Sequence, residues 1–164
     1  MRSFDGVFFR HIDKIMLKKR FDYWCKKLRV EPYWSVKLEF VASDTFKKTG
    51  DIKIDCDDKK AILQLNEKNL KGLNLEEVIV HELFHLKLYP LDQVTESLIL
   101  SNFKEGTPGY DFAFREFFQS LEQTVAELTK CFLLEFGNEK ELSYGRCAEG
   151  KSYNELFNDL KNLK

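Results

Sequence analysis

The chain of 164 residues is short of the signals that mark several protein classes. No apolar run approaches the roughly 20 residues needed to span a bilayer. Met1 to Arg10 lacks the apolar core of a secretory signal, so the cytoplasm is the expected compartment. Neither sign of charge is in excess. The 26 basic side chains stand against 27 acidic ones, a net charge of −1, which leaves no general electrostatic footprint for nucleic acid or membrane. Three prolines and eight glycines mark no linker, and there is no internal repeat. A single domain over residues 1–164 is therefore expected. The four cysteines, Cys25, Cys56, Cys131 and Cys147, form no Cys-x-x-Cys pair. That excludes a Cys-rich zinc knuckle and leaves free thiols in a reducing compartment as the reading. Histidine is scarce, with three in the chain.

Aromatic residues are plentiful. Fifteen Phe, six Tyr and two Trp supply ample surface for a core, which excludes disorder. Phe8, Ile12, Ile15, Met16, Trp24 and Leu28 recur at helical spacing and predict a helix over 8–29, ended by Glu31-Pro32. Its lysines and arginines read as a solvated face, or as a docking surface if the domain works as a binding module. Alternation predicts strands at 34–40, 52–56 and 61–65, with a turn at Asp57-Asp58-Lys59-Lys60. Together these give an α+β fold with a small antiparallel sheet covered by helices.

A helix over 75–88 is well punctuated. Asn74 is an N-cap, Glu77 takes the capping-box position, and Tyr89-Pro90 marks the stop. The helix is apolar nearly all round, which predicts burial. A short helix follows over 92–104, then a loop at Gly106-Thr107-Pro108-Gly109. A long helix over 111–136 closes near Gly137, and a final amphipathic helix spans 151–163.

The buried helix carries His81-Glu82-Leu83-Phe84-His85, the pattern H-E-x-x-H. Histidines at i and i+4 share one helix face, so both imidazoles can reach one zinc ion. Glu82, beside the first of them, can take a proton from water activated there. A catalytic zinc has three protein ligands and an open position, so one more ligand is needed. The pool is Asp92, Glu96, Asp111, Glu116, Glu122, Glu127 and, more remotely, His11. On the long helix the apolar stripe is Phe114, Phe117, Phe118, Leu121, Val125, Leu128 and Phe132. At about 100° per residue, Glu116 and Glu127 fall behind that stripe, whereas Glu122 flanks it and can point inward. Glu122 is the first choice, and Asp111, Asp92 and His11 are the runners-up.

His81-Glu82-Leu83-Phe84-His85-Leu86-Lys87-Leu88, followed by Leu121-Glu122-Gln123-Thr124-Val125-Ala126-Glu127-Leu128, resembles the small gluzincin-type metallopeptidases. That group includes the minimal gluzincins and the ImmA/IrrE-like and phage-encoded zinc peptidase domains. The resemblance covers residues 34–136. It implies a zincin-like fold, with a small sheet, an active-site helix and a backing helix. Zn²⁺ would be held by His81, His85 and Glu122, with Glu82 as the catalytic base and a peptide or protein as substrate. It also implies that an edge strand of the 52–65 hairpin holds the substrate main chain. The Asn-Glu-x-x-Ser-Asp signature of larger gluzincins and the extended metzincin motif are absent. The oxyanion-stabilising residue is unplaced: Tyr89, Tyr110, Tyr144 and Tyr153 are open, and none is favoured. The competing reading is a metal-binding regulatory module with little or no peptidase activity.

Overall fold

A computed structural model of the chain describes residues 13–68 and 74–142. Its elements are α1 (Lys14–Lys27), β1 (Ser35–Val41), β2 (Gly50–Asp55), β3 (Lys60–Asn66), α2 (Leu75–Asn102) and α3 (Pro108–Phe136). The expected start of the first helix, His11, Tyr144, Cys147, Tyr153 and the 151–163 helix all lie outside the described residues. The fold is α+β, as the pattern predicted.

In α1 the Asp13 side chain caps the first turn by accepting from the Met16 amide at 2.9 Å. Leu17, Phe21, Trp24 and Cys25 form its buried face, while Lys18, Lys19, Lys26 and Lys27 stay in solvent. The sheet has three strands, as expected, but it is mixed rather than antiparallel throughout. Its order is β1-β3-β2. β2 and β3 form the expected antiparallel hairpin, with Ile52 opposite Leu63. β1 runs parallel to β3, with Leu38 opposite Leu63. The cause is the connection over 42–49. A two-residue turn would force β1 onto β2, but this longer segment crosses about 10 Å, two strand spacings, and leaves room for β3 between them. β3 is accordingly the most buried strand, with Ala61, Leu63 and Leu65 in the core.

Helix α2 continues through Pro90 to Asn102, so the predicted stop at Tyr89-Pro90 and the separate 92–104 helix merge into one element. A proline inside a helix costs about 3 kcal/mol. The outer half of α2 has apolar and helix-forming residues on either side of Pro90, and α3 packs alongside to offset that cost. α3 begins earlier than expected. Pro108 takes the first helical position, where its missing N–H is harmless, and Thr107 caps it. Gly106 supplies the left-handed φ of 77° in the turn between the helices.

The first half of α2 packs on β2 and β3, with α1 and α3 beside it. Phe21, Trp24, Leu63, Leu65, Ile79, Leu83, Val125 and Leu133 meet in one core. Burial does not extend along the whole apolar pattern, however. Leu91, Val94 and Leu98 on α2, and Phe112, Phe114 and Phe118 on α3, are exposed among the described residues. The predicted stripe of α3 therefore faces the core only from about Leu121 onward.

The start of α2 is pinned by polar contacts. Asn74 accepts from the amides of Glu76 at 3.0 Å and Glu77 at 3.3 Å, and its Nδ2 donates to the carbonyls of Glu139 and Glu141. One residue into the helix, the buried Glu76 carboxylate accepts from Arg20 Nε and Trp24 Nε1, each at 2.7 Å. It also accepts from the amides of Asn138 and Glu139 at 3.2 and 3.3 Å. One carboxylate thus ties α1, α2 and the segment after α3 together.

Candidate metal centre

His81 and His85 lie one turn apart on the inner half of α2, and Glu122 faces them from α3. The helix period puts the two imidazoles on one face. Their Nε2 atoms approach to 3.1 Å. Glu122 Oε1 is 3.1 Å from His85 Nε2, and its Oε2 is 3.6 Å from His81 Nε2. Glu122 sits at the start of the buried part of α3, with Val125 fully buried one turn on. The carboxylate therefore points across at α2 while Glu116 and Glu127 remain exposed, as their helical angles predicted.

Three ligand atoms converge here, all within 4.8 Å of one another, and no other such set of three occurs among the described residues. Ligand atoms about 2.05 Å from a tetrahedral zinc ion would stand about 3.3 Å apart. The two imidazole nitrogens, 3.1 Å apart, stand close to that value, and each faces a different oxygen of Glu122, at 3.1 and 3.6 Å, so the donor set suits such an ion in chemistry and in approximate size. The three side chains keep 17–22% of their surface accessible, so solvent reaches the group. Comparison with family models, with curated proteins and with solved structures gave no match. The functional reading therefore stands on the geometry and the motif.

Two runners-up fall away from this group. Asp111 is exposed in the first turn of α3, about 16 Å along the helix from Glu122. Asp92 is partly buried two turns beyond His85 but does not join the convergent atoms. Burial, and then the charge of Glu96, push its carboxyl pKa up. Tyr110 stacks on Phe114 with centroids 5.9 Å apart, about 18 Å along the helix from Glu122.

Glu82 is the partly buried carboxylate beside the first imidazole. Burial raises its pKa, and the charge of Asp51 adds to this, while His81, His85 and Lys48 oppose it. Its packing partner is Gly50 at the start of β2. A Cβ there would collide with Val78 and come within 3.3 Å of Glu82 Cγ and Oε1. The glycine lets the edge strand lie directly on the motif helix. Sequence reasoning passed over Gly50, Lys48 and Asp51, because a loop of mixed charge carries no periodicity to point at a site.

The histidines and Glu122 also make stability depend on pH. Burial opposes a charged His85, but the Glu122 hydrogen bond and the charges of Glu82 and Glu122 prevail and raise its pKa. The His81 and His85 hydrogen bonds, acting against burial, hold the Glu122 carboxyl well below the usual carboxylate range. A raised His85 stabilises the fold below its unfolded value of 6.5, and that contribution is lost as pH rises through the folded value. A depressed Glu122 stabilises the fold above its unfolded value of 4.5, and that contribution is lost on acidification. The metal-free protein should therefore gain most from this site between about pH 4.5 and 6.5. Thermal unfolding across pH, compared with His85→Ala, tests this. A difference in Tm that does not vary with pH would refute it.

Proposed function

We propose that the protein is a zinc-dependent metallopeptidase of the gluzincin type, hydrolysing peptide bonds of a peptide or protein substrate. What supports this most is the approach of Glu122 from α3 to the two histidines of α2, with Glu82 one residue from the first. His81, His85 and Glu122 would hold Zn²⁺. The ion would polarise the scissile carbonyl and lower the pKa of water at the site to about 7. Glu82 takes the proton of the attacking water and passes it to the leaving amine, which needs a carboxylate beside the site with a pKa nearer neutrality. Its burial moves the pKa in that direction.

The substrate main chain would pair with β2. β2 is an edge strand, whereas β3 is central, and Gly50 of β2 lies against Glu82. An extended peptide added to that edge would run past the base, gaining main-chain hydrogen bonds regardless of sequence. The free thiols of Cys25, Cys56 and Cys131 accord with a cytoplasmic setting, which forms part of this proposal.

Elemental analysis of dialysed protein tests the metal. The wild type should carry about one zinc per chain, His85→Ala almost none, and Glu122→Ala a reduced amount. Asp92→Asn should match the wild type. A wild type that takes up no zinc when zinc is added would overturn the proposal.

A further inference from the structure

If the site hydrolyses peptide bonds, negative charge develops on the scissile carbonyl oxygen and calls for a donor besides the metal. Tyr110, one of the positions the sequence left open, does not fill that place. It lies far along α3 from Glu122. The loop before β2 presents a different group.

That loop is built as a rigid support. Asn66 is 1% exposed at the end of the central strand. Its Nδ2 donates to the carbonyl of Phe46 at 2.6 Å and to that of Lys48 at 2.8 Å. Its backbone amide donates to the carbonyl of Thr49 at 2.9 Å. Three carbonyls of the loop are thus fixed from the core. The next residue, Gly50, is pressed onto Glu82. Lys48 therefore has a fixed backbone two residues from the contact with the base. Its Nζ is steered by a 2.6 Å bond to Asp51 Oδ1, which leaves two of its three donors free. The side chain is otherwise open to solvent, where a substrate can reach it. The Asp51 bond does most to keep the ammonium charged, and the charges of Glu82 and Glu122 also act on it.

We propose that Lys48 is a catalytic residue of this site, its ammonium donating to the scissile carbonyl oxygen as that oxygen becomes negative, with Asp51 as its positioning residue. This rests on the metallopeptidase reading. Lys48 keeps its proton throughout. The proton that moves goes from water to Glu82 and then to the leaving amine. The role needs a fixed cation rather than an acid, and that is what a lysine with an ordinary or raised pKa provides.

The test uses the full chain loaded with Co²⁺, whose visible spectrum reports anions entering the site. The probe is inorganic phosphate, a small tetrahedral anion free of side-chain preference. Lys48→Met should bind cobalt in the same stoichiometry but phosphate about tenfold or more weakly, since a charge-assisted donor is lost. Lys48→Arg should recover phosphate binding to within about threefold. A purely structural lysine would not give rescue by charge together with unchanged metal content. Phosphate affinity equal in the wild type and Lys48→Met, or no rescue by arginine, would overturn the role of Lys48 while leaving the metallopeptidase reading intact. Loaded wild type that binds no phosphate would overturn it as well. A wild type that takes up no cobalt would instead remove the metallopeptidase reading, and the role of Lys48 with it.

Discussion

Glu82→Gln is expected to keep the fold and about one zinc per chain while lowering peptide hydrolysis by about 10²–10⁴-fold. The amide matches the carboxylate in size, so the close contact with Gly50 and Val78 survives. Glu82 is not one of the three convergent ligand atoms, so metal content should not change. What disappears is the acceptor for the water proton. In the proposed mechanism the same carboxylate would set the acidic limb of the wild-type profile. Burial raises its pKa, so kcat/KM should fall on acidification at a higher pH than an ordinary glutamate would give. Mass spectrometry of a peptide library digested by both proteins, with zinc measured on the same samples, makes the comparison. A variant as active as the wild type would remove Glu82 from the mechanism.

The site was legible where its information is local. H-E-x-x-H fixes two imidazoles on one helix face, and Asn74 as the cap of that helix follows from its own residue type. Glu122 needed one inference more, its angle to the apolar stripe of α3. The structure places Glu122 facing the two histidines because a long regular helix carries its phase faithfully from Val125 back to Glu122. Lys48 had no such handle. Its position depends on Asn66, 18 residues later, holding its carbonyl, and neither residue forms a motif with the other. The fold divides in the same way. Strand positions followed from alternation, but the direction of β1 against β3 is a long-range pairing that alternation does not encode. Pro90 misled for a related reason. The rule that a proline ends a helix describes an isolated helix, whereas α2 is continued by packing against α3.

Glu76→Ala is expected to lower stability by about 3–5 kcal/mol, because it strips a buried charge network of the carboxylate that faces Arg20. Arg20 is 9% exposed and donates to Glu76 through Nε and Nη2. Trp24, fully buried, donates its indole N–H to the same oxygen. The amides of Asn138 and Glu139 meet the other oxygen. Truncation leaves the guanidinium with the Phe136 carbonyl, at 3.3 Å, and the faces of Tyr23 and Trp24. The indole loses this acceptor in a region closed to water, while the amides of Asn138 and Glu139 lose theirs on exposed residues. In a chain of this size the Tm should fall by about 10 °C. Glu76→Gln should fall between Ala and wild type, since it keeps the shape and one acceptor oxygen but not the charge that faces Arg20. The exposed pair Lys18–Asp22, at 2.9 Å, gives the contrast. Breaking it with Lys18→Ala should change stability by less than about 0.5 kcal/mol, because both partners remain hydrated. The loss at Glu76 should also reach the metal centre. α2 begins at Leu75 and carries His81 in its second turn, so loosening its start lets that imidazole move relative to Glu122 on α3. Zinc affinity in Glu76→Ala should accordingly weaken with temperature more steeply than in the wild type. A Tm within about 2 °C of wild type would mean that the hydrogen bonds around Glu76 are not what fixes the start of the motif helix.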